Sequence, residues 1–264
     1  MQGNAAEPRR KDFKSFDGVR LTYYDYGQER PARPVIMLHG LMSCGRDLDQ
    51  FAGLLTETGL HAFSLDYRAH GNSEGPHEPQ SYRDQAMARD VIALSEELHL
   101  SEYAVFAYGL GCELTARIVN LGAPVRRAVM CGWGGPPSRQ LNLYASQNWV
   151  SQASRLADGF EVDDPNLIGD PMARKWRFNA DKKGLDRFAL AARLRSGDSR
   201  EPGLDPRKIK VPVLVICGVD DSDPHEFANH LPNAEGLIVG GDHSSASRSE
   251  ELGPAAAKFL SAPW

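Results

Sequence analysis

Short, nearly continuous apolar runs recur along the chain at Val35 to Leu38, His61 to Leu65, Ala104 to Ala107, Ala128 to Cys131, Val213 to Ile216 and Gly236 to Val239. Runs of this length without polar alternation suit strands buried on both faces, as in a parallel sheet covered by helices. Phe16 to Tyr26 carries Asp17-Gly18 between two β-rich pieces and predicts a hairpin. Helical periodicity fills the gaps. Ser81 to His99 places Ala86, Val91, Leu94 and Leu98 on one stripe, with Ser81 and Asp84 spaced like a capped start. Leu110 to Leu121 is a second helix, stopped by Gly122 and Pro124, and Ala255 to Leu260 a last one. Strand and helix in alternation predict an α/β fold, a doubly wound and mostly parallel sheet with right-handed crossovers.

One stretch breaks the rhythm. Residues 134–208 hold no strand-like run but several amphipathic pieces with Trp149, Phe160, Trp176 and Phe188. The stretch lies between two buried strands and is too long for a simple crossover. It is expected to be a helical cap inserted over the carboxyl edge of the sheet, with 12–133 and 209–264 forming the core. Residues 169–210 carry twelve Lys or Arg against six Asp or Glu. That excess reads either as solvated helix faces or as attraction of an anionic substrate.

Composition narrows the class. The chain has 264 residues, 41% hydrophobic and 25% charged, ordinary for a globular protein with a sizeable core. A net charge of -5 gives the whole molecule no electrostatic reason to bind nucleic acid. The polar start, Met1 to Lys11, has no secretory apolar stretch, and no run reaches the ~20 apolar residues of a membrane helix. Cys44, Cys112, Cys131 and Cys217 show neither CxxC spacing nor disulfide-scaffold density. They are expected to be reduced and mostly buried, in a cytoplasmic protein without a metal or other cofactor. Oligomeric state leaves no trace in the sequence.

Sites in open α/β sheets form where strands end. His39-Gly40-Leu41-Met42 follows the first apolar run, and Asp66-Tyr67-Arg68-Ala69-His70-Gly71-Asn72-Ser73 the second. Ala107-Tyr108-Gly109-Leu110-Gly111 leads from the third into a helix. Cys217 to Pro224 holds Asp220, Asp221 and Asp223, and Gly240-Gly241-Asp242-His243 follows the last strand. In this order the five segments resemble the α/β-hydrolase family over about residues 16–260. The resemblance implies His243 as base, Asp221 as the acid that orients it (Asp220 and Asp223 being the alternatives), and the amides of Leu41 or Met42 and of Leu110 as an oxyanion hole. It also implies a small-molecule substrate, with His39, Tyr108 and Trp133 around its pocket. His39 is expected to act mainly by holding the oxyanion loop in shape, and Asp66, Arg68, Gly71 and Ser73 to tie a loop together. Trp133, Trp149 and Trp176 read either as pocket lining or as core of the cap.

The family elbow reads Gly-x-Ser-x-Gly. Here Ala107 stands for the first Gly and Gly109 for the serine nucleophile, while Gly111 keeps the last glycine. Removing the nucleophile of a serine hydrolase costs roughly 10⁶ in rate, about 8 kcal/mol, and leaves ~10³ over water from binding and the oxyanion hole. Three readings follow. In the first, His243 acts as general base without a covalent step, on an ester, thioester, lactone or C–C bond, or in an elimination or cyclisation. In the second, the chain is a silent ligand binder. In the third, Gly109 disables an ordinary serine hydrolase. Cys112, Ser43 and Cys44 are the substitute nucleophiles within sequence reach of the site.

Overall fold

A computed structural model describes residues 7–27, 32–135, 147–196 and 204–264, with 147–150 described by their backbone alone. Eight strands form one sheet in the order β1-β2-β4-β3-β5-β6-β7-β8. These are β1 (Arg9–Lys14), β2 (Arg20–Asp25), β3 (Arg33–Leu38), β4 (Leu60–Asp66), β5 (Tyr103–Tyr108), β6 (Val125–Cys131), β7 (Val213–Gly218) and β8 (Ala234–Val239). The first two pair antiparallel, β2 runs antiparallel to β4, and every later pairing is parallel.

Alternate residues of each central strand feed opposite faces, which is why the apolar runs are continuous. Ile36 and Leu38 of β3, with Val105 and Ala107 of β5, pack under Val91 and Leu94 of α2 (Ala86–Glu97) and Leu114 and Ile118 of α3 (Leu110–Asn120). Val35, Met37, Ala104 and Phe106 face the other way. They meet Phe51 and Leu55 of α1 (Asp49–Glu57) and Leu252, Ala256 and Leu260 of a C-terminal helix, Leu252–Ser261. Burying each large apolar side chain contributes roughly 1.5–3 kcal/mol.

Two local expectations are corrected. The hairpin spans Arg9 to Asp25, and its first strand lies within the stretch that read as a polar start. An edge strand exposes both faces, so β1 carries charge rather than an apolar run; only Phe13 of its six residues is buried. The helix expected from Ser81 begins at Ala86, and neither Ser81 nor Asp84 caps it. Asp84 and Gln85 instead take positive φ of 56° and 59°. The cause is tertiary. Residues Pro79–Tyr82 form a separate 3₁₀ turn whose Ser81 carbonyl accepts from the Arg68 guanidinium at 2.5 Å.

Between β6 and β7 the described residues are helical, as the patterning predicts: Gln147–Glu161, Pro171–Lys182 and Arg187–Arg195. Their shared cluster of Ala157, Phe160, Ala180, Leu190 and Ala191 also receives Met42 and Trp176. The insertion therefore packs against the loop after β3. Residues 136–146 and 197–203, which fall in the expected cap, lie outside the described residues, as does the Trp149 side chain.

Beneath the sheet edge lies a buried ionic node. Arg68 and Asp90 have no exposed side-chain surface, and Arg68 donates to both Asp90 oxygens at 2.7 and 2.5 Å. Asp17 and Ser15 complete it, the latter donating to Asp90 at 2.6 Å. Truncating one partner strands a buried charge, which costs far more than the pair itself contributes. Asp90→Ala is expected to lower unfolding stability by about 3–5 kcal/mol in a urea titration.

Candidate functional site

The site begins with the turn from β5 into α3. Gly109 sits at φ 51° and ψ -112°, dihedrals that side-chain-bearing residues enter only under strain. Its amide donates to Cys131 at 2.9 Å, tying the turn to the end of β6. Glycine thus relaxes the backbone, and it also leaves an opening. A Cβ built on Gly109 would meet Gly40 Cα at 3.6 Å and His243 Nε2 at 3.7 Å, both ordinary contacts.

His243 reaches that point because the loops after β7 and β8 touch as bare backbone. A Cβ on Gly218 would fall 2.1 Å from the Gly241 carbonyl oxygen, so no larger residue permits this approach. The Asp242 carboxylate then accepts from the amides of Ser244 and Ser245 and from the Ser245 hydroxyl, folding the turn that presents His243. His243 Nδ1–H donates to Asp221 Oδ2 at 3.0 Å, while Oδ1 accepts the Ser222 amide at 2.8 Å. Of the three aspartates that compete in sequence, Asp221 is the one bonded to the imidazole. Asp223 instead caps a short helix through the His225 amide at 2.9 Å.

Burial pushes the Asp221 carboxyl up, but its bonds from His243 and Ser222 outweigh this and hold it below the usual carboxylate value. The same bond from Asp221 outweighs the partial burial of His243 and raises the imidazole above its ordinary 6.5. With Nδ1–H committed to Asp221, Nε2 carries the lone pair that faces Gly109.

Two neighbours of His243 escaped the sequence reading. A Cβ on Gly132 would lie 2.9 Å from His243 Cε1 and 3.0 Å from Nδ1, so the imidazole rests on bare backbone after β6. The Gly132-Trp133-Gly134-Gly135 run was the available signal. Tyr108, expected at the substrate pocket, donates its hydroxyl to the His243 carbonyl at 2.8 Å and sets its ring edge-on to the imidazole. Trp133 corrects the pocket expectation outright. It is 6% exposed and packs on Phe227 in the main core.

The loop after β3 faces the elbow through Gly40. Among the described residues no acceptor takes the amides of Leu41 or Leu110. Met42 differs: its amide donates to His70 Nε2 at 3.3 Å, so it is not available to a ligand. His39 is fully buried and donates through Nδ1 to the Gly40 carbonyl at 2.7 Å. Burial lowers its imidazole to about 4, and the residue shapes the loop rather than lining an open pocket.

Cys112, Ser43 and Cys44, the substitute nucleophiles that the sequence offers, are engaged elsewhere or held as neutral thiols. Cys112 is buried with its thiol on the Cys131 carbonyl at 3.3 Å, and burial pushes that thiol well up. The Ser43 hydroxyl donates to Asp47 at 2.6 Å, and burial raises the Cys44 thiol. Arg68 is enclosed by Asp90 and Asp17, while Asp66 accepts the amides of Gly45 and Asn72 at 2.6 and 2.8 Å. These loop residues tie loops together, as expected.

Several cations of the insertion are ion-paired. Arg177 pairs with Asp181, Arg187 with Asp163, Arg195 with Asp158 and Glu161, and Lys183 with Asp47 at 2.7 Å.

An elbow, a histidine after the last strand and an acid after the one before it, at one edge of this sheet, are the arrangement of a hydrolase-type α/β enzyme. A family model described as "Alpha/beta hydrolase family" matches residues 35–253, and the chain belongs to that family. A non-heme chloroperoxidase (CPO-A1) of Kitasatospora aureofaciens is 24% identical over 83% of this chain and 86% of its own length. The sn-1-specific diacylglycerol lipase ABHD11 of Xenopus tropicalis is 32% identical over 40% of this chain, a match that spans only 32% of that protein. Among solved structures, the bottromycin epimerase BotH in complex with bottromycin A2 superposes with a TM-score of 0.63. The superposition covers 95% of this chain and 99% of that one at 18% identity, a likeness of fold.

The open point at Gly109 gives a direct test. Gly109→Ser is expected to place a hydroxyl within hydrogen-bond reach of His243 Nε2 and to become labelled by a fluorophosphonate, followed by intact-mass spectrometry, whereas the natural chain stays unlabelled. Absence of labelling in the variant would mean that the elbow and the imidazole do not converge.

Proposed function

We propose that this protein is a general-base enzyme acting on a small carbonyl compound without a covalent intermediate. The observation that carries the reading is the placement of His243 Nε2 against Gly109. It looks across ordinary contact distance at Gly109, while Asp221 holds the opposite nitrogen. A side chain with no atoms beyond Cα leaves that space to a water or to part of the substrate.

In the hydrolytic form of the reaction, a water beside Gly109 attacks the carbonyl carbon while His243 takes its proton. Asp221 stabilises the imidazolium, and the amides of Leu41 and Leu110 receive the charge on the carbonyl oxygen. As the tetrahedral adduct collapses, His243 returns the proton to the leaving group. The same groups serve abstraction of a proton next to a carbonyl, the amides then holding an enolate. The candidate substrates are an ester, thioester, lactone or β-dicarbonyl compound. The helical insertion, residues 134–208, acts as a cap over the site.

His243→Ala is expected to lower kcat/KM by about 10²–10⁴-fold for any turned-over carbonyl substrate. Unchanged turnover would refute the base role, and a ligand that raises the melting temperature yet is recovered intact would identify a binder. Restored esterase activity at ordinary enzyme rates in Gly109→Ser would mark a disabled serine hydrolase.

The pH profile follows from the Asp221 bond. A raised histidine pKa keeps the imidazole protonated to higher pH, and only the neutral form accepts a proton. Activity is therefore expected to be lost as pH falls through a value above 6.5. Asp221→Asn should shift that acid limb of kcat/KM to lower pH and reduce its plateau.

A further inference from the structure

The loop after β3 holds a strained residue that only an outside partner keeps in place. Met42 has φ 58°, a left-handed conformation that a side-chain-bearing residue enters under strain. Its amide donates to His70 Nε2 at 3.3 Å. On the other side of the imidazole, Nδ1–H donates to the Arg68 carbonyl at 3.1 Å. His70 is 1% exposed, so it touches no solvent-borne ligand. Its ring lies tilted against His39 and edge-on to Tyr67, at centroid distances of 5.3 and 5.9 Å.

The segment that carries His70 is itself anchored. Arg68 is locked in the ionic node with Asp90 and Asp17. Asp66 takes the Asn72 amide at 2.8 Å and the Gly45 amide at 2.6 Å. Ala69 and Gly71, on either side of His70, both have positive φ, of 68° and 56°. Those paired left-handed residues wedge the imidazole inward. Met42, for its part, packs its half-buried side chain against the cluster of the helical insertion that includes Phe160 and Leu190.

We infer that His70 is the positioning residue for the oxyanion loop: it fixes the Met42 amide and so aims the neighbouring Leu41 amide at the elbow. The inference rests on the general-base reading, since it gives a purpose to the Leu41 amide. The acceptor must be the neutral ring with its proton on Nδ1. Burial lowers the imidazole to about 3, which keeps Nε2 free across the working pH range. The device is chemical rather than steric, because a ring that merely filled space would not need an acceptor at that atom.

Two conservative variants separate the roles. His70→Asn keeps a donor near the position of Nδ1 but has no atom at Nε2. His70→Gln can bring an amide oxygen to the Nε2 position. Amide hydrogen exchange of the full-length protein, read residue by residue, reports the bond directly. Met42 exchange is expected to quicken by about tenfold or more in His70→Asn and to stay near the natural rate in His70→Gln, a change equivalent to one hydrogen bond. In a Gly109→Ser background, fluorophosphonate labelling should slow by about 10²-fold with His70→Asn and recover with His70→Gln, the effect of losing an oxyanion donor.

Equal Met42 exchange in the natural chain and His70→Asn overturns the inference, whatever happens to labelling. So does exchange that quickens only across 66–73, which would mark a residue that stabilises its own turn. Fast Met42 exchange in His70→Asn with no labelling of Gly109→Ser would keep the clamp and sink the general-base reading instead.

Discussion

The imidazole of His243 lies in a slot whose walls are bare backbone, and the rest of the site depends on that. Gly132 lies beneath its ring, Gly109 stands before its Nε2, and Gly218 lets the two loops behind it touch. A methyl group at Gly132 or Gly218 would intrude on atoms that have nowhere to move, a ring in one case and a carbonyl in the other. Parallel register makes the slot possible. The ends of β3, β5, β6, β7 and β8 fall at one edge of the sheet, so five loops distant in sequence share a few ångströms. Tyr108 and Asp242 then hold the histidine-bearing turn from either side.

That architecture separates two duties that a serine hydrolase joins. Orientation of the base needs Asp221, the glycine-walled slot and the Tyr108 hydroxyl, and all are present. Covalent attack needs one oxygen atom on the elbow, and Gly109 has none. The energies are unequal. A missing nucleophile removes about 8 kcal/mol of rate acceleration, whereas a positioned base and one oxyanion donor are worth about 3–5 and 2.7–4 kcal/mol. On the proposed general-base reading, what remains would serve a reaction that starts with removal of a proton. The elbow strain, which a serine would have to bear, is meanwhile relieved.

Much of this was legible before any coordinates. Continuous apolar runs announced parallel strands, and each of the six was found within three residues of its expected ends, five of them buried and the last, β8, an edge strand with only Val239 buried. The order of the strand-end segments pointed to Gly109, Asp221 and His243, and the geometry brings these three together. What escaped did so for identifiable reasons. β1 is an edge strand made almost wholly of charged residues, so it carries no apolar run. The start of α2 obeyed the Arg68 guanidinium rather than its own capping residues. Met42 looked as eligible as Leu41, because nothing in a string of letters shows which way an amide points. Trp133 sat beside the right motifs but packs into the core, whereas Tyr108 faces His243 itself.

The sequence alone determined the class of fold, the chain order of the functional loops and the absence of a nucleophile at the elbow, since these rest on local periodicity and residue identity. Tertiary structure decided which of three aspartates meets His243 and which amides are already taken. Those matters depend on contacts between loops well separated along the chain, Asp221 with His243 and Met42 with His70. Their separation in space is set by how whole layers pack, and no local rule about neighbouring residues contains it.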